Sequence, residues 1–228
     1  MSALWRHSRR MREAEEIVKY SRLAYEKGFL AATDGNLSTR LQNGNILITG
    51  SSVCKGEVSP DDLVEIDLSG SKVSGARKLS TEYKLHLHIY RNRPDVNAVV
   101  HTHPVYALIC ASSNIELDRP YFPEVILTLG RIPTCKYATP STDDLHRSLD
   151  PYLEYATVFL LENHGAVATG KSLKEAFFRT DKLEHTAKVV VEATKAGGIR
   201  PLQRHRIDEL YRIAGSSYGI NLHPKNRF

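Results

Sequence analysis

The sequence predicts an α/β fold in which residues 1–228 form a single layered domain, with a central, mainly antiparallel β-sheet flanked by helices. Short apolar runs of strand type alternate with longer helix-like segments, which is typical of this fold class. The pair Asn43-Gly44 separates two of these runs and favours a hairpin, and therefore antiparallel pairing. The chain shows no internal repeat, low-complexity stretch or long linker, so we predict no domain boundary.

The first half of the chain is predicted to hold an opening helix, three strands and a second helix. Residues 11–27 carry spaced apolar positions, and Gly28 is a typical helix end. Residues 80–93 contain neither Gly nor Pro and begin with Ser-Thr-Glu, a common helix start. The three strands between these helices are predicted at 36–41, 45–49 and 63–68.

The second half alternates in the same way and ends in two helices. A long helix is predicted over 172–196, since it begins at a serine suited to capping and stops before Gly197-Gly198. A final helix is predicted over 203–214. The preceding elements are predicted as a strand over 96–103, a helix after Pro104, a strand over 124–129, a helix over 142–155, and paired strands over 156–163 and 165–170.

Charge and cysteine content narrow the class of protein. The formal net charge is +5, but the basic residues are scattered, so a small anion explains the charge as well as nucleic acid does, and we predict no nucleic-acid partner. Three cysteines without Cys-x-x-Cys spacing predict free thiols in a reducing compartment. Because neither a signal-peptide core nor a run of about 18 apolar residues is present, we predict a cytoplasmic protein that does not enter membranes.

Two His-x-His pairs raise the question of a metal site. In a strand, His101 and His103 would project from the same face and could bind one metal ion. The alternative is a pair of solvated or hydrogen-bonded polar residues at a strand end. His86 and His88 lie in a predicted helix, where residues two apart diverge by roughly 200°, so we interpret them as packing or surface histidines.

Two further residues strengthen the metal hypothesis. His164 ends the most apolar predicted strand, and three imidazoles at strand ends are the minimum set for a zinc site with an open coordination position. Glu82 is expected in the first turn of the second helix, where it could supply a fourth ligand or transfer protons. The alternative for Glu82 is an ordinary helix-capping role.

Three short segments rich in small residues and hydroxyls could bind an anion through backbone N–H groups. They are the loop with Gly35 and Asn36, the loop ITGSSVCKG, and the helix start at Ser80 and Thr81. The alternative for each is an ordinary turn or cap.

The order of these motifs resembles that of the class II aldolase and adducin family over about residues 12–195. The resemblance is carried by GNLSTR, ITGSSVCKGEVSPDDLVEIDLSG, KLSTEYKLHLHIYRNRPDVNAVVHTHP and LLENHGAVATGKSLKEAFFRTDKLEHTAKV. It implies the family's fold and a C4 homotetramer with active sites between neighbouring subunits. It also implies one Zn²⁺ per subunit, with another divalent metal as the alternative.

The resemblance assigns roles to individual residues. It implies that His101, His103 and His164 bind the metal, and that Glu82 is the acid/base group and can also ligate zinc. The phosphate-binding positions match Gly35, Asn36, Ser51 and Ser80, together with Ser52 in place of a usual glycine and Thr81 in place of a usual serine.

A second catalytic residue is predicted at Glu124. This position corresponds to a catalytic tyrosine in one branch of the family and to a catalytic glutamate in another. Tyr121 is an alternative counterpart, and Glu124 as an ordinary surface carboxylate is the other alternative. Tyr211 or Tyr218 could close the site from a partner chain.

The function implied is that of a zinc-dependent aldolase. It would cleave a phosphorylated ketose, similar to L-fuculose 1-phosphate, into dihydroxyacetone phosphate and an aldehyde. Alternatives within the family are a methylthioribulose-phosphate dehydratase, a pentulose-phosphate 4-epimerase and a sugar-acid phosphate decarboxylase. An alternative of another class is a non-catalytic, adducin-like interaction module.

Overall fold

The computed structural model describes the backbone of residues 3–228 and the side chains of residues 10–228 except that of Tyr218. Within this part of the chain, eight strands form one continuous sheet. They are β1 (Asn36–Arg40), β2 (Ile46–Thr49), β3 (Leu63–Ile66), β4 (Lys72–Ser74), β5 (Ala98–Thr102), β6 (Thr134–Cys135), β7 (Val158–Leu161) and β8 (Gly165–Gly170).

Eight α-helices lie in the same described part of the chain. They are α1 (Ala3–Glu26), α2 (Tyr83–Asn92), α3 (Val105–Ala111), α4 (Pro123–Thr128), α5 (Asp143–Arg147), α6 (Asp150–Leu153), α7 (Leu173–Lys195) and α8 (Arg204–Ile213). Short 3₁₀ turns cover Pro60–Asp62 and Pro224–Asn226, and a π-helical turn extends α8 over Ala214–Tyr218. No described helix combines the length and apolar character that crossing a membrane requires.

The sheet has the strand order β4-β3-β2-β1-β5-β8-β7-β6, which places β1, β5 and β8 near its centre. Every neighbouring pair is antiparallel except β6 and β7. The Asn43-Gly44 turn joins β1 to β2, and Gly44 adopts a φ of +88° that favours glycine. The predicted α/β fold with a mainly antiparallel sheet is confirmed.

Helices cover both faces of the sheet and create a three-layered molecule. The helices α2, α5 and α6 pack on one face, whereas α1, α3, α4 and α7 pack on the other. Strand alternation directs Val99 of β5 towards α2, and its neighbours Ala98 and Val100 towards α1 and α7. His101, two residues after Val99, therefore points to the α2 side of the sheet.

The predicted helix boundaries hold where a capping residue sets them. Helix α1 ends just before Gly28, which has a φ of +73° and donates its backbone N–H to the carbonyl of Tyr25. Helix α7 begins after Ser172, whose hydroxyl accepts from the backbone N–H of Glu175 at 3.2 Å.

The strand predicted over 124–129 is wrong, because this segment forms helix α4. A short apolar run does not by itself distinguish a buried strand from a buried helix. Here Pro123 occupies the first helical position, and Gly130 follows the helix with a φ of +68°. Val125 and Ile126 are buried from the helix.

Several other elements differ from the prediction, and α1 begins at Ala3 rather than at residue 11. The helix predicted over 142–155 is divided into α5 and α6, and α2 begins at Tyr83 because residues 80–82 form a turn before it. Strands β4 and β6 are not predicted, since three and two residues are too few for a strand pattern to be visible in the sequence.

Candidate functional site

Two of the predicted metal-binding histidines lie where β5 ends. His101 is fully buried in the strand, paired with Asn36 of β1 and Val167 of β8. His103 directly follows the strand, and its backbone N–H donates to the carbonyl of Phe29 at 2.9 Å. This contact continues the extended chain, so the imidazoles of His101 and His103 lie on the same side of the sheet.

The third histidine, His164, lies in the tight turn between β7 and β8 rather than at the end of a longer strand. Asn163 makes the turn with a φ of +55°, a backbone conformation that Asn tolerates better than most residues. Gly165 then begins β8 beside His103. A Cβ atom on Gly165 would lie 2.4 Å from Cδ2 of His103, so glycine leaves the space that this imidazole occupies.

The three imidazoles converge on one point. One ring nitrogen from each of His101, His103 and His164 lies within 4.8 Å of the others, and Nε2 of His101 is 3.2 Å from Nε2 of His103. The Nδ1–H of His101 donates to the carbonyl of Ala166 at 3.0 Å, so Nε2 is the nitrogen that faces the other rings and that can bind a metal ion once it has lost its proton.

Glu82 joins this cluster from the residue that precedes α2. It occupies the N-cap position rather than the predicted first turn, and its carboxylate makes no capping hydrogen bond. Instead, its two oxygens lie 3.2 Å from Nε2 of His101 and 3.1 Å from Nε2 of His164. The short turn over residues 80–82 thus aims the carboxylate at the histidines.

The charges of Glu82 and the histidines shift one another's pKa values. Burial opposes ionisation of Glu82, but the charge of His101 and hydrogen bonds from His101, His164 and Asn36 hold the pKa of Glu82 well below its usual range. Burial likewise opposes protonation of His101, but Glu82 outweighs it and raises the pKa of His101. Burial is the largest cause that lowers the pKa of His103 to about 3, and the neighbouring His101 and His164 lower it further.

These residues fit a divalent metal ion. Neutral imidazole nitrogens and a carboxylate are donors that zinc and related ions prefer, and the ion's charge would take the place of the positive charge that His101 carries beside Glu82. Among the side chains that the structure describes, His101, His103 and His164 are the one group of three or more His, Cys, Asp or Glu residues arranged to hold a metal ion.

A buried hydrogen-bond network supports Glu82 from behind. The Asn36 amide donates to Glu82 at 2.9 Å, and its oxygen accepts from Nε2 of His86 at 2.5 Å. Ser38 lies 2.6 Å from Nδ1 of His86 and 2.8 Å from the hydroxyl of Tyr90. His86 is therefore a packing residue, as predicted, but its contacts connect it to the cluster.

The predicted anion-binding residues all line one cavity of about 290 Å³ above the histidine cluster. Ser80 is buried, and its hydroxyl accepts from the backbone N–H of Glu82 at 3.4 Å, whereas Thr81 is exposed. Ser52 adopts a φ of +58°, a conformation in which the usual glycine of this position would be unstrained. The cavity is lined by Thr33, Asp34, Gly35, Asn36, Gly50, Ser51, Ser52, Lys55, Ser80, Thr81, Glu82, His103 and His164.

The other predicted catalytic residues do not line this cavity. Glu124 is exposed at the start of α4. Tyr121 is half-buried, and its hydroxyl donates to the carbonyl of Glu116 at 3.4 Å. The hydroxyl of Tyr211 accepts from the backbone N–H of Phe228 at 3.1 Å, and the side chain of Tyr218 lies outside the described part of the chain.

Sequence reasoning missed two contributors to the site. His86 lies four residues after Glu82, so both project from the same side of the helix start, and this spacing is the signal that could have connected them. Asp34, in the loop before β1, brings its carboxylate within 3.8 Å of Nδ1 of His103. Nothing in its local sequence distinguishes Asp34 from an ordinary turn aspartate.

A larger depression lies elsewhere on the described surface and has no comparable chemistry. It measures about 700 Å³ and includes Arg93 and Arg179. Arg93 is bonded to Asp95 and to the carbonyls of Leu153 and Ala156, so its donors already have partners. Arg179 is bonded in the same way to a backbone carbonyl and to a glutamate. The histidine cluster, rather than cavity size, identifies the candidate site.

Comparisons with known proteins agree with this site. The family model of the class II aldolase and adducin N-terminal domain matches residues 15–191. The chain is 36% identical over 187 residues to the 3-oxo-tetronate 4-phosphate decarboxylase of Pectobacterium atrosepticum, covering 80% of this chain and 85% of that one. It is 32% identical over 177 residues to the L-fuculose phosphate aldolase of Methanococcus vannielii, covering 78% and 94% respectively.

Solved structures place the fold in the same family. The crystal structure of YgbL from Klebsiella pneumoniae, described as an aldolase, epimerase or decarboxylase, matches with a TM-score of 0.82 at 32% identity. The match covers 88% of this chain and 98% of that one. The chain therefore belongs to the class II aldolase and adducin N-terminal domain family and is a metal-dependent lyase.

Proposed function

We propose that this lyase uses zinc and removes carbon dioxide from a 3-oxo sugar-acid phosphate of the 3-oxo-tetronate 4-phosphate class. The observation that carries the proposal is the contact of the Glu82 carboxylate with both His101 and His164 at the base of a cavity lined by hydroxyl groups. This arrangement offers metal ligands, a proton carrier and anion-binding groups in one place. The decarboxylases that are 36% identical to the chain support this choice of substrate class.

The chemistry of such a substrate suits the cluster. In 3-oxo-tetronate 4-phosphate, the carboxyl group is C1 and the ketone is C3. Breaking the C1–C2 bond releases CO₂ and leaves its electron pair on C2, in conjugation with the ketone. The product of this step is the enediolate of dihydroxyacetone phosphate, which takes up one proton at C2. A divalent ion held by His101, His103 and His164 would supply Lewis-acid polarisation of the ketone.

We assign the proton transfer to Glu82. Its position is held by Asn36, His101 and His164, so the carboxyl group is oriented before the substrate arrives. A carboxylate fixed in this way can pass one proton from solvent to C2 of the enediolate, and it returns to the carboxylate form in doing so. We assign the binding of the phosphate group and its neighbouring oxygens to six residues of the cavity: Gly35, Asn36, Ser51, Ser52, Ser80 and Thr81.

Aldol cleavage of a phosphorylated ketose is the second candidate, favoured by the L-fuculose phosphate aldolase that is 32% identical to the chain. Cleavage of a ketose 1-phosphate produces the same enediolate together with an aldehyde. This reaction needs a second group that takes the proton from the hydroxyl at the broken bond. Asp34 is one such group in the cavity, and Glu124, Tyr121, Tyr211 or Tyr218 could serve from a neighbouring subunit.

A homotetramer in the cytoplasm completes the proposal. Val105 of α3 and Phe178 of α7 are 56% and 52% exposed, and such apolar side chains favour contact with other subunits. Analytical ultracentrifugation tests the assembly, for which we expect a species of four chains of 25.6 kDa each. A stable monomer would contradict sites shared between subunits.

Product analysis tests the function itself. Zinc-loaded protein is incubated separately with 3-oxo-tetronate 4-phosphate and with L-fuculose 1-phosphate, and CO₂, dihydroxyacetone phosphate and aldehyde are measured. We expect CO₂ and dihydroxyacetone phosphate in equal amounts from the first substrate. Release of aldehyde from the second substrate alone would establish the aldolase instead. Consumption of neither by protein with a full complement of metal would contradict both candidates.

A further inference from the structure

Lys55 is a buried lysine on the wall of the cavity. Its side chain is only 1% exposed, although the cavity that it lines is open to solvent. Its Nζ donates to the carbonyl of Thr33 at 2.7 Å and to the carbonyl of Val53 at 2.9 Å. These carbonyls belong to two different cavity loops, so the ammonium group lies between them.

No carboxylate of the described residues forms an ion pair with Lys55. Among the described residues, no carboxylate lies within 4.0 Å of its Nζ, whereas lysines are almost never fully buried unless paired. Asp34 and Glu82 act on Lys55 through their charge, without a bond to it. Glu82 already contacts His101 and His164, and the Asp34 carboxylate lies 3.8 Å from Nδ1 of His103. Burial lowers the pKa of Lys55 to about 8, with Asp34 partly opposing it, so the side chain still carries its charge at neutral pH.

The bonding of Lys55 leaves one donor unused. An ammonium group has three N–H bonds, and two of them are directed at the carbonyls of Thr33 and Val53. Around it the cavity offers hydroxyl groups, including those of Ser51 and Ser80, but no carboxylate that bonds to it. A positive charge with a spare donor among hydroxyl groups is suited to a phosphate oxygen.

We propose that Lys55 supplies the countercharge for the phosphate group of the substrate, and thereby makes the enzyme prefer phosphorylated over unphosphorylated sugar acids. The proposal rests on the proposed function, because it assigns the phosphate end of that substrate to the Lys55 side of the cavity. An ammonium group cannot ligate a metal, since it has donors and no lone pair. The histidine side of the cavity therefore receives the ketone, and the Lys55 side receives the phosphate.

If Lys55 only joined the two cavity loops, its substitution would have different effects from the loss of a phosphate countercharge. Substitutions of Lys55 can therefore separate these two roles. Lys55→Met removes the charge and the donors, whereas Lys55→Gln removes the charge but keeps N–H donors for the loop carbonyls. Lys78→Met is the matched control, because Lys78 is an exposed lysine that does not line the cavity. Inorganic phosphate is the probe, titrated calorimetrically into each zinc-loaded variant, and KM and kcat are measured with the phosphorylated substrate.

For a countercharge, Lys55→Met and Lys55→Gln both weaken phosphate binding and raise KM by roughly tenfold or more, as for loss of one charge-assisted hydrogen bond. We expect kcat to change much less, and Lys78→Met to behave as the unsubstituted protein. If Lys55→Gln binds phosphate and substrate normally, the countercharge is refuted and Lys55 only joins the loops. If Lys55→Met fails to fold, Lys55→Gln decides alone.

Failure of the inference is separable from failure of the proposed function. If the unsubstituted protein binds phosphate, loses it with both Lys55 variants, and converts neither candidate substrate, the countercharge stands and the proposed reaction is wrong. If the unsubstituted protein releases CO₂ or aldehyde while the Lys55 variants retain KM, the reaction stands and the inference about Lys55 is wrong. If phosphate does not bind the unsubstituted protein, the inference is also wrong.

Discussion

His86 donates its Nε2–H to the side-chain oxygen of Asn36, and this contact determines which way the Asn36 amide faces. Because the oxygen is turned towards His86, the amide N–H group is turned towards the carboxylate of Glu82. Nδ1 of His86 then accepts from the hydroxyl of Ser38, which accepts in turn from Tyr90. All donors in the network thus point in one consistent order, from the buried face of helix α2 towards the candidate metal centre.

Replacing His86 tests whether this network orients Glu82. His86→Phe keeps the ring volume but leaves the Asn36 oxygen and the Ser38 hydroxyl without their partner. We expect a loss of about 1–3 kcal/mol in the free energy of unfolding, measured by urea denaturation, because buried polar groups are left unsatisfied. Metal content should stay unchanged, since His86 is outside the ligand cluster, while turnover falls.

His88→Phe is the matched control for that experiment. His88 lies on the same helix, but its bond is to Asp150, whose side chain is 54% exposed. Even a charged pair with so exposed a partner contributes only about 0–1 kcal/mol, so this variant should remain close to the unsubstituted protein. Equal losses of stability in the two variants would show that the Asn36 contact has no special importance.

The sequence predicts those parts of the site that depend on local pattern. His101 lies in an apolar strand and His103 directly follows it. Because side chains alternate between the two faces of a strand, the common face of these histidines can be predicted before any tertiary structure is known. Ser172 and Gly28 set helix ends through their own backbone and side-chain chemistry. Such features need only a few neighbouring residues.

The parts that could not be predicted depend on contacts between distant segments. The role of His86 requires β1 to lie against α2, and the position of Lys55 requires two loops to meet. The segment over 124–129, which forms most of α4, favours a strand in the sequence because a six-residue run with four apolar residues suits either structure. Only the packing of neighbouring elements decides between them. Tertiary packing therefore supplies the information that local pattern lacks.

Metal binding gives a direct test of the histidine cluster. His101→Ala, His103→Ala and His164→Ala should each lose most of the bound divalent ion, because each removes one of three converging nitrogens. Metal per chain is measured by mass spectrometry on protein that has never met a chelator. Retention of a full complement by all three variants would exclude this cluster as the metal site, and His88→Ala is the control that should keep its metal.

The proton-transfer role of Glu82 is tested by a substitution that removes its charge and keeps the shape of its side chain. Glu82→Gln should retain much of its metal and lose roughly 10²-fold or more in kcat, as expected for a positioned acid/base group. The comparison variant Glu124→Gln lies outside the cavity of its own chain. A severe loss in Glu124→Gln with a mild one in Glu82→Gln would move proton transfer to Glu124, and would require that residue to come from a neighbouring subunit.

Two glycines allow the close packing around the cluster to be tested. Gly28 and Gly35 have φ values of +73° and +68°, so alanine is strained at both positions. Only Gly35 is crowded, because its Cβ would lie 2.7 Å from the carbonyl oxygen of His101 and 2.2 Å from Cδ2 of Leu30. We expect Gly28→Ala to cost about 1–2 kcal/mol from backbone strain alone.

Gly35→Ala should cost more and should also reduce metal content, because the chain must move away from His101. Urea denaturation and metal analysis on the two variants provide the comparison. If both variants lose the same stability and keep their metal, the approach of Gly35 to the His101 carbonyl does not matter for the site.

The pH dependence of stability tests the burial of Lys55. Its pKa is about 8 in the folded chain, below the ordinary value of 10.5, with burial as the largest cause. Between these two values the unfolded chain binds more protons than the folded chain, so raising the pH through this window stabilises the folded state. In Lys55→Met this contribution is absent, whereas the tyrosines and other lysines titrate alike in both proteins.

The free energy of unfolding of the unsubstituted protein should therefore gain about 2 kcal/mol relative to Lys55→Met between pH 7.5 and pH 10. A difference that stays constant over this range would mean that the Lys55 ammonium is as well solvated in the folded chain as in the unfolded one.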